Sequence, residues 1–216
     1  MPATIDPARQ FERARRALMR SDPRLARVIR ASGARRPSFQ VREPFRALVG
    51  AVVSQQLSTR AADTIQQRLE ALVPTLSPTA LDTVPDGALR TIGLSGQKVS
   101  YLRDLAARVT DGRLDLDHLS TLDDAAVTDA IVAVRGFGVW SAQMFLIFAL
   151  HRPDIFPTGD LGIVKGCQRV LGMKSRPAVR TMVRAAARWA PYRSTASWYL
   201  WRATELPESV FTDIAL

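Results

Sequence analysis

Val134-Arg135-Gly136-Phe137-Gly138-Val139-Trp140-Ser141-Ala142 is the stretch that decides how this chain is read. A Gly-x-Gly turn lies there between two helix-like segments, and a lone acid, Asp160, follows beyond Pro153 and Pro157. Upstream, apolar residues at Leu122, Ala125, Ala126, Ile131 and Val134 predict a helix, with Thr121 and Asp124 spaced as a capping box. Downstream, Val139 to Leu150 is apolar nearly all round, which predicts a second helix buried in the core. Two glycines permit the tight turn and close backbone approach that a phosphate needs, and the following helix start offers unpaired N–H groups to an anion. The same residues also suit an ordinary helix–helix turn. Asp160, between Pro157-Thr158-Gly159 and Leu161-Gly162-Ile163-Val164, suits a plain N-cap.

Working outward, nearly every segment carries helical patterning, with no sustained apolar/polar alternation. Helix starts are predicted at Asp6-Pro7, Asp22-Pro23, Glu43-Pro44, Ser58, Ser77-Pro78, Asp86, Gly96, Asp160, Pro177 and Ser194, and Ser32-Gly33 stops the second helix. The polar 111–117 stretch is the expected lobe boundary. The expected fold is therefore all-α and two-lobed, with the site in the cleft between lobes. Residues 1–36 would form a basic helical segment packing on a catalytic domain of residues 37–216, which carries the hairpin at 134–142.

The 216 residues carry a net charge of +10, unevenly spread. Residues 1–36 hold ten arginines against three acids, and residues 161–204 hold nine bases and no acid. Residues 37–160 are close to neutral. Arginine-rich composition alone would explain Arg over Lys, but not an acid-free run of this length, which attraction to phosphate does explain. The amino terminus lacks a basic-then-apolar signal and the longest apolar run, Met144 to Leu150, is too short to span a bilayer. A soluble intracellular protein is expected, cytoplasmic and nucleoid-associated in a prokaryote, with no membrane partner. A single cysteine, Cys167, excludes an internal disulfide framework and a four-cysteine iron–sulfur cluster. With only His118 and His151, neither near a partner at ligand spacing, zinc and a histidine-based triad are not expected.

The hairpin, taken with Phe156-Pro157-Thr158-Gly159-Asp160-Leu161-Gly162, resembles the helix-hairpin-helix DNA glycosylases, and within them the DNA-3-methyladenine glycosylase II, or alkylpurine, family. Three more segments share the likeness, which covers about residues 44 to 203. Phe45 to Ser58 resembles the segment ending in the residues that plug the DNA stack, and Ile92 to Leu102 a second glycine turn. Trp189-Ala190-Pro191-Tyr192-Arg193-Ser194 resembles the family's Trp-x-Pro-aromatic-Arg-Ser segment. Departures are informative. Arg135 stands where many relatives have Pro, and Met144 and Leu161 stand where some alkylpurine relatives are aromatic. Trp140 replaces the nucleophilic Lys of the bifunctional glycosylase/lyases.

What the resemblance implies is a monofunctional glycosylase of base excision repair that flips an alkylated purine, such as 3-methyladenine or 7-methylguanine, out of double-stranded DNA and hydrolyses its glycosidic bond. Asp160 would be catalytic. Trp140, Tyr192, Phe39, Met144 and Leu161 would line the base pocket. Gln55 or Gln56 would plug the stack, and Gly136, Phe137, Gly138, Ser141, Lys165, Arg169 and Arg193 would contact DNA. Trp198 and Trp201, one helical turn apart, are assigned to the core. No cofactor is required, although relatives hold a Na+ or K+ on hairpin carbonyls, here those of residues 134–138. A monomer is expected. Two alternatives stay open: a glycosylase for deaminated or mismatched bases on the same fold, and a non-catalytic helix-hairpin-helix DNA-binding module.

Overall fold

The computed structural model describes residues 6–37 and 43–212, and among these all regular structure is helical. In chain order the helices are α1 Pro7–Ser21, α2 Pro23–Ala31, α3 Pro44–Ser54, α4 Thr59–Leu72, α5 Pro78–Thr83, α6 Asp86–Thr91 and α7 Gly96–Thr110. They continue as α8 Asp124–Val132, α9 Val139–Phe148, α10 Leu161–Val170, α11 Val179–Ala186, α12 Arg193–Ala203 and α13 Ser209–Thr212. No helix among the described residues is long and apolar enough to cross a membrane.

Capping chemistry sets most of these starts. Asp6, Asp22 and Glu43 each accept backbone N–H bonds ahead of a Pro in the first turn, while Ser58, Ser77 and Ser95 accept from the amide three residues on. Elsewhere the expected start moves. Thr121 ends a 3-10 turn, His118–Thr121, where its hydroxyl donates to the His118 carbonyl, so Asp123 caps α8 instead, accepting from the Ala126 amide at 2.8 Å. α6 does begin at Asp86 as expected, but α11 begins two residues after Pro177 without a side-chain cap. α12 begins at Arg193, one residue before Ser194, whose buried hydroxyl donates to the Arg152 carbonyl at 2.6 Å.

The described residues cluster into two compact units: 43–150, and 6–37 with 151–212. In the first, α3 packs against α4, α7 and α9, and α8 packs against α9, around Phe45, Val49, Leu102, Ile131 and Phe145. The 111–117 connection runs within this unit, so the division falls near 40 and 150 rather than there. Polarity marked an exposed loop, but Leu114 and Leu119 tie it down by burial. In the second unit, Phe11, Leu18, Leu25, Val28 and Ile29 share one core with Ile163, Cys167, Trp189 and Tyr199. The N-terminal helices are thus part of the same core as α10 and α12, not a separate layer.

The expectation for α9 needs correction. Its inner face buries Ala142, Phe145 and Leu146, but Val139, Trp140 and Phe148 are 56%, 37% and 40% exposed. An all-round apolar run shows that no face prefers water; it does not say that every face is covered.

Candidate nucleic-acid interface and catalytic carboxylate

The hairpin follows α8 directly. The Phe137 amide donates to the Val134 carbonyl at 3.1 Å, closing the turn, and Gly136 takes φ +84°, a conformation that disfavours a side chain. A methyl group at Gly136 would also overlap the ring of Tyr101 on α7. Phe137 and Ser141 are 7% and 3% exposed, so these two anchor the turn inward and can offer DNA only backbone groups. Gly138 forms the N-cap of α9 and, being glycine, contributes no side-chain cap bond to the first turn of that helix. Beside it, the Arg135 amide donates to Asp104 Oδ2 at 2.7 Å, and Arg108 pairs with the same oxygen at 2.8 Å. Burial pushes the Asp104 carboxyl up, but the Arg135 amide and then Arg108 carry it below the usual carboxylate range.

In the same unit, α3 runs into a tight loop, residues 54–58. Gln55 turns its amide Nε2 onto the Gly136 carbonyl at 2.9 Å. Gln56 is exposed and takes φ +56°, one of two non-glycine residues with positive φ among those described. Leu57 beside it is 39% exposed. Lys98 donates to the Val53 carbonyl at 2.7 Å, and burial lowers its pKa.

In the other unit, Asp160 is half-buried and caps α10, Oδ1 accepting from the Ile163 amide at 2.9 Å. The same oxygen accepts from Trp201 Nε1 at 2.8 Å. Trp201, assigned to the core from sequence, is only partly buried and holds this carboxylate. Gly162 makes the approach feasible, since a methyl group there would lie 2.6 Å from Trp201 Cδ1; at Gly166 it would collide with the Leu200 carbonyl. Two small residues one turn apart let α10 lie close on α12 and bring the indole to the acid.

Over residues 49–191 the sequence matches the profile of the HhH-GPD superfamily of base excision DNA repair proteins. The chain belongs to that superfamily. Among HhH-GPD relatives, DNA-3-methyladenine glycosylase 1 of Schizosaccharomyces pombe is 28% identical over 195 residues, covering 87% of this chain and 85% of that protein. A probable bifunctional transcriptional activator/DNA repair enzyme of Mycobacterium tuberculosis is 31% identical over 208 residues, and this chain spans only 38% of it. In three dimensions the S. pombe 3-methyladenine DNA glycosylase in complex with abasic DNA superposes with a TM-score of 0.83 at 26% identity, over 91% of this chain and 98% of that one. A DNA-3-methyladenine glycosidase of Bacillus halodurans superposes at 0.77 with 34% identity, over 90% and 92%.

The remaining expected site residues of this HhH-GPD chain fall out unequally. Trp140 and Met144 lie one turn apart on α9, while Leu161, 64% exposed, and the half-buried Tyr192 belong to the other unit. Phe39 lies outside the described residues. Lys165 is exposed on α10. Two proposed phosphate ligands are already engaged. Arg193 forms a two-pronged pair with Asp154, 2.8 Å on each side, and Arg169 donates to the Ala203 carbonyl at 2.6 Å and to Glu208 at 2.8 Å while lying over the Phe211 ring. Both are structural cross-links. The basic run was legible; which bases are tied down was not, because their acids, Asp154 and Glu208, lie just outside it.

Proposed function

We propose that this chain is a monofunctional DNA glycosylase that flips alkylated purines from double-stranded DNA and hydrolyses their N-glycosidic bond, 3-methyladenine and 7-methylguanine being its substrates. The observation that carries this is the single carboxylate, Asp160, oriented by the Trp201 indole and the Ile163 amide. Expelling a normal purine calls for a proton donor to the leaving group. His118 is taken up in its own 3-10 turn, where its ring pairs with Thr121. A purine alkylated at a ring nitrogen is already cationic and leaves neutral, so it needs only stabilisation of the sugar cation left behind. Opposite unit charges about 4 Å apart at an effective dielectric of about 20 attract by roughly 4 kcal/mol. That is about a thousandfold in rate.

The relatives named for 3-methyladenine and the complex with abasic DNA support this reading. So does Trp140, 37% exposed, whose electron-rich ring suits a cationic base. Trp140 in place of a lyase lysine supports hydrolysis without strand cleavage. In the same reading Gln56 plugs the emptied stack, the first amides of α9 hold a phosphate, and the protein acts as an intracellular monomer with no required cofactor. A monovalent cation on the hairpin carbonyls would add positive charge beside that phosphate; of these carbonyls, Gly136's already accepts from Gln55.

Incubation with methylated duplex, followed by chromatography of the released bases, tests the proposal. Free methylpurine is expected, with strands breaking only after alkali and no borohydride-trapped protein–DNA adduct. Absence of any released base would overturn the alkylpurine reading and leave a glycosylase for deaminated or mismatched bases or a non-catalytic binding module. Efficient trapping would show that an amine such as Lys165 attacks the sugar.

A further inference from the structure

Within residues 43–150, the plug loop and the hairpin are joined by a side chain far from both in sequence terms: Gln55 reaches a carbonyl 81 positions away. We infer that Gln55 is a positioning residue for base flipping, its amide latching the loop to the hairpin so that Gln56 and the phosphate grip are held as one piece. The inference rests on the glycosylase reading above for its role in flipping, but the latch itself is a matter of geometry.

A left-handed conformation at a residue with a side chain costs on the order of 1–2 kcal/mol and persists only where its flanks are held. Here both flanks are. Ahead of Gln56, Lys98 grips the Val53 carbonyl and Gln55 grips Gly136. Behind it, the Leu57 amide donates to the Ser54 carbonyl at 3.3 Å and Ser58 caps α4. The hairpin end is equally fixed, by Tyr101 against Gly136 and by Asp104 on the Arg135 amide. Lys98, Tyr101 and Asp104 recur at every third position of α7, so one helix holds both elements while Gln55 joins them directly. An exposed glutamine with no such task would keep its rotamer freedom and point to water. Instead it spends its donor on the carbonyl of the residue that must be glycine. Pre-setting Gln56 would remove an ordering step from the moment when the base leaves the stack.

The test compares wild type with Gln55→Met, which keeps the length and loses the donor, on 7-methylguanine in duplex and in single-stranded DNA. Duplex excision at saturating enzyme should slow about five- to tenfold, the worth of one hydrogen bond. Single-strand excision, where no stack needs filling, should stay within about twofold of wild type by the same logic. Gln55→Glu, which aims an acceptor at the carbonyl, should be slower still on duplex. In a Gln56→Ala background, Gln55→Met should add little, because the plug it positions is gone. Equal loss on both substrates, or full additivity, overturns the proposal. Should wild type release no base at all, the glycosylase reading fails, yet the latch is still decided by amide hydrogen exchange in the free protein. Gln55→Met should then speed exchange of the Leu57 and Phe137 amides together, and a response of neither or of only one refutes it.

Discussion

The hairpin corner of residues 43–150 is built from backbone, and the carboxylate corner of residues 151–212 from one side chain. At the hairpin the groups proposed to meet DNA are backbone amides and carbonyls, while the side chains that shape the turn, Tyr101, Gln55 and Asp104, come from other elements. At Asp160 the proposed functional group is the residue itself, and glycines at 162 and 166 let its partner helix close in. The difference teaches that sequence motifs mark different things: Gly-x-Gly marks a shape to be supported, Asp160 a charge to be aimed. Substitutions should separate the two, affinity following the first and rate the second.

The sharpest separation is Asp160→Asn. Asparagine still caps α10 but carries no charge, so excision should fall at least about a thousandfold while affinity for abasic duplex stays within a few-fold. Near-normal turnover would remove Asp160 from the chemistry. Next, Trp201→Phe keeps the ring and deletes the hydrogen bond to the carboxylate; the single-turnover rate should drop about ten- to a hundredfold with little change in affinity, as befits a bond to a charged group. On the other side of the comparison, Gly136→Ala meets both the positive φ and the Tyr101 ring. It should weaken duplex binding about tenfold and cost roughly 1–3 kcal/mol of stability, measured by titration and by urea melts. Smaller still, Lys165→Gln should lower the slope of log affinity against log salt by about one, whereas Arg193→Gln should leave the slope alone and lower stability, because its partner is Asp154.

The smallest effect concerns His151, which takes φ +52° with Nε2 buried and unbonded. Burial lowers its pKa, so the folded state prefers the neutral ring. That stability is fully present above the ordinary histidine value of about 6.5 and is lost as pH falls below it toward the depressed folded value. Melting temperatures of wild type should decline across that window and those of His151→Asn should not.

Legibility followed the same division. Caps such as Asp22, Ser58 and Asp160 were readable because each acts on amides two or three residues away. The hairpin was readable because glycine spacing encodes it. What escaped was long-range pairing: Trp201 with Asp160 across 41 positions, Arg193 with Asp154 across 39, Gln55 with Gly136 across 81. No local pattern distinguishes an indole that packs from one that also donates. Gly162 was the available clue, a small residue beside an acid marking where something large comes close. The 111–117 boundary failed for a related reason, since loop polarity reports exposure and not which cores lie on either side.

Single-turnover excision from matched duplexes that differ only in the lesion tests the central claim most directly. Release of 3-methyladenine and 7-methylguanine should outpace hypoxanthine and uracil, because only the cationic bases leave without a proton donor. Uracil or mispaired adenine leaving faster than 3-methyladenine would contradict it, and would place this HhH-GPD chain among the enzymes that act on deaminated or mismatched bases.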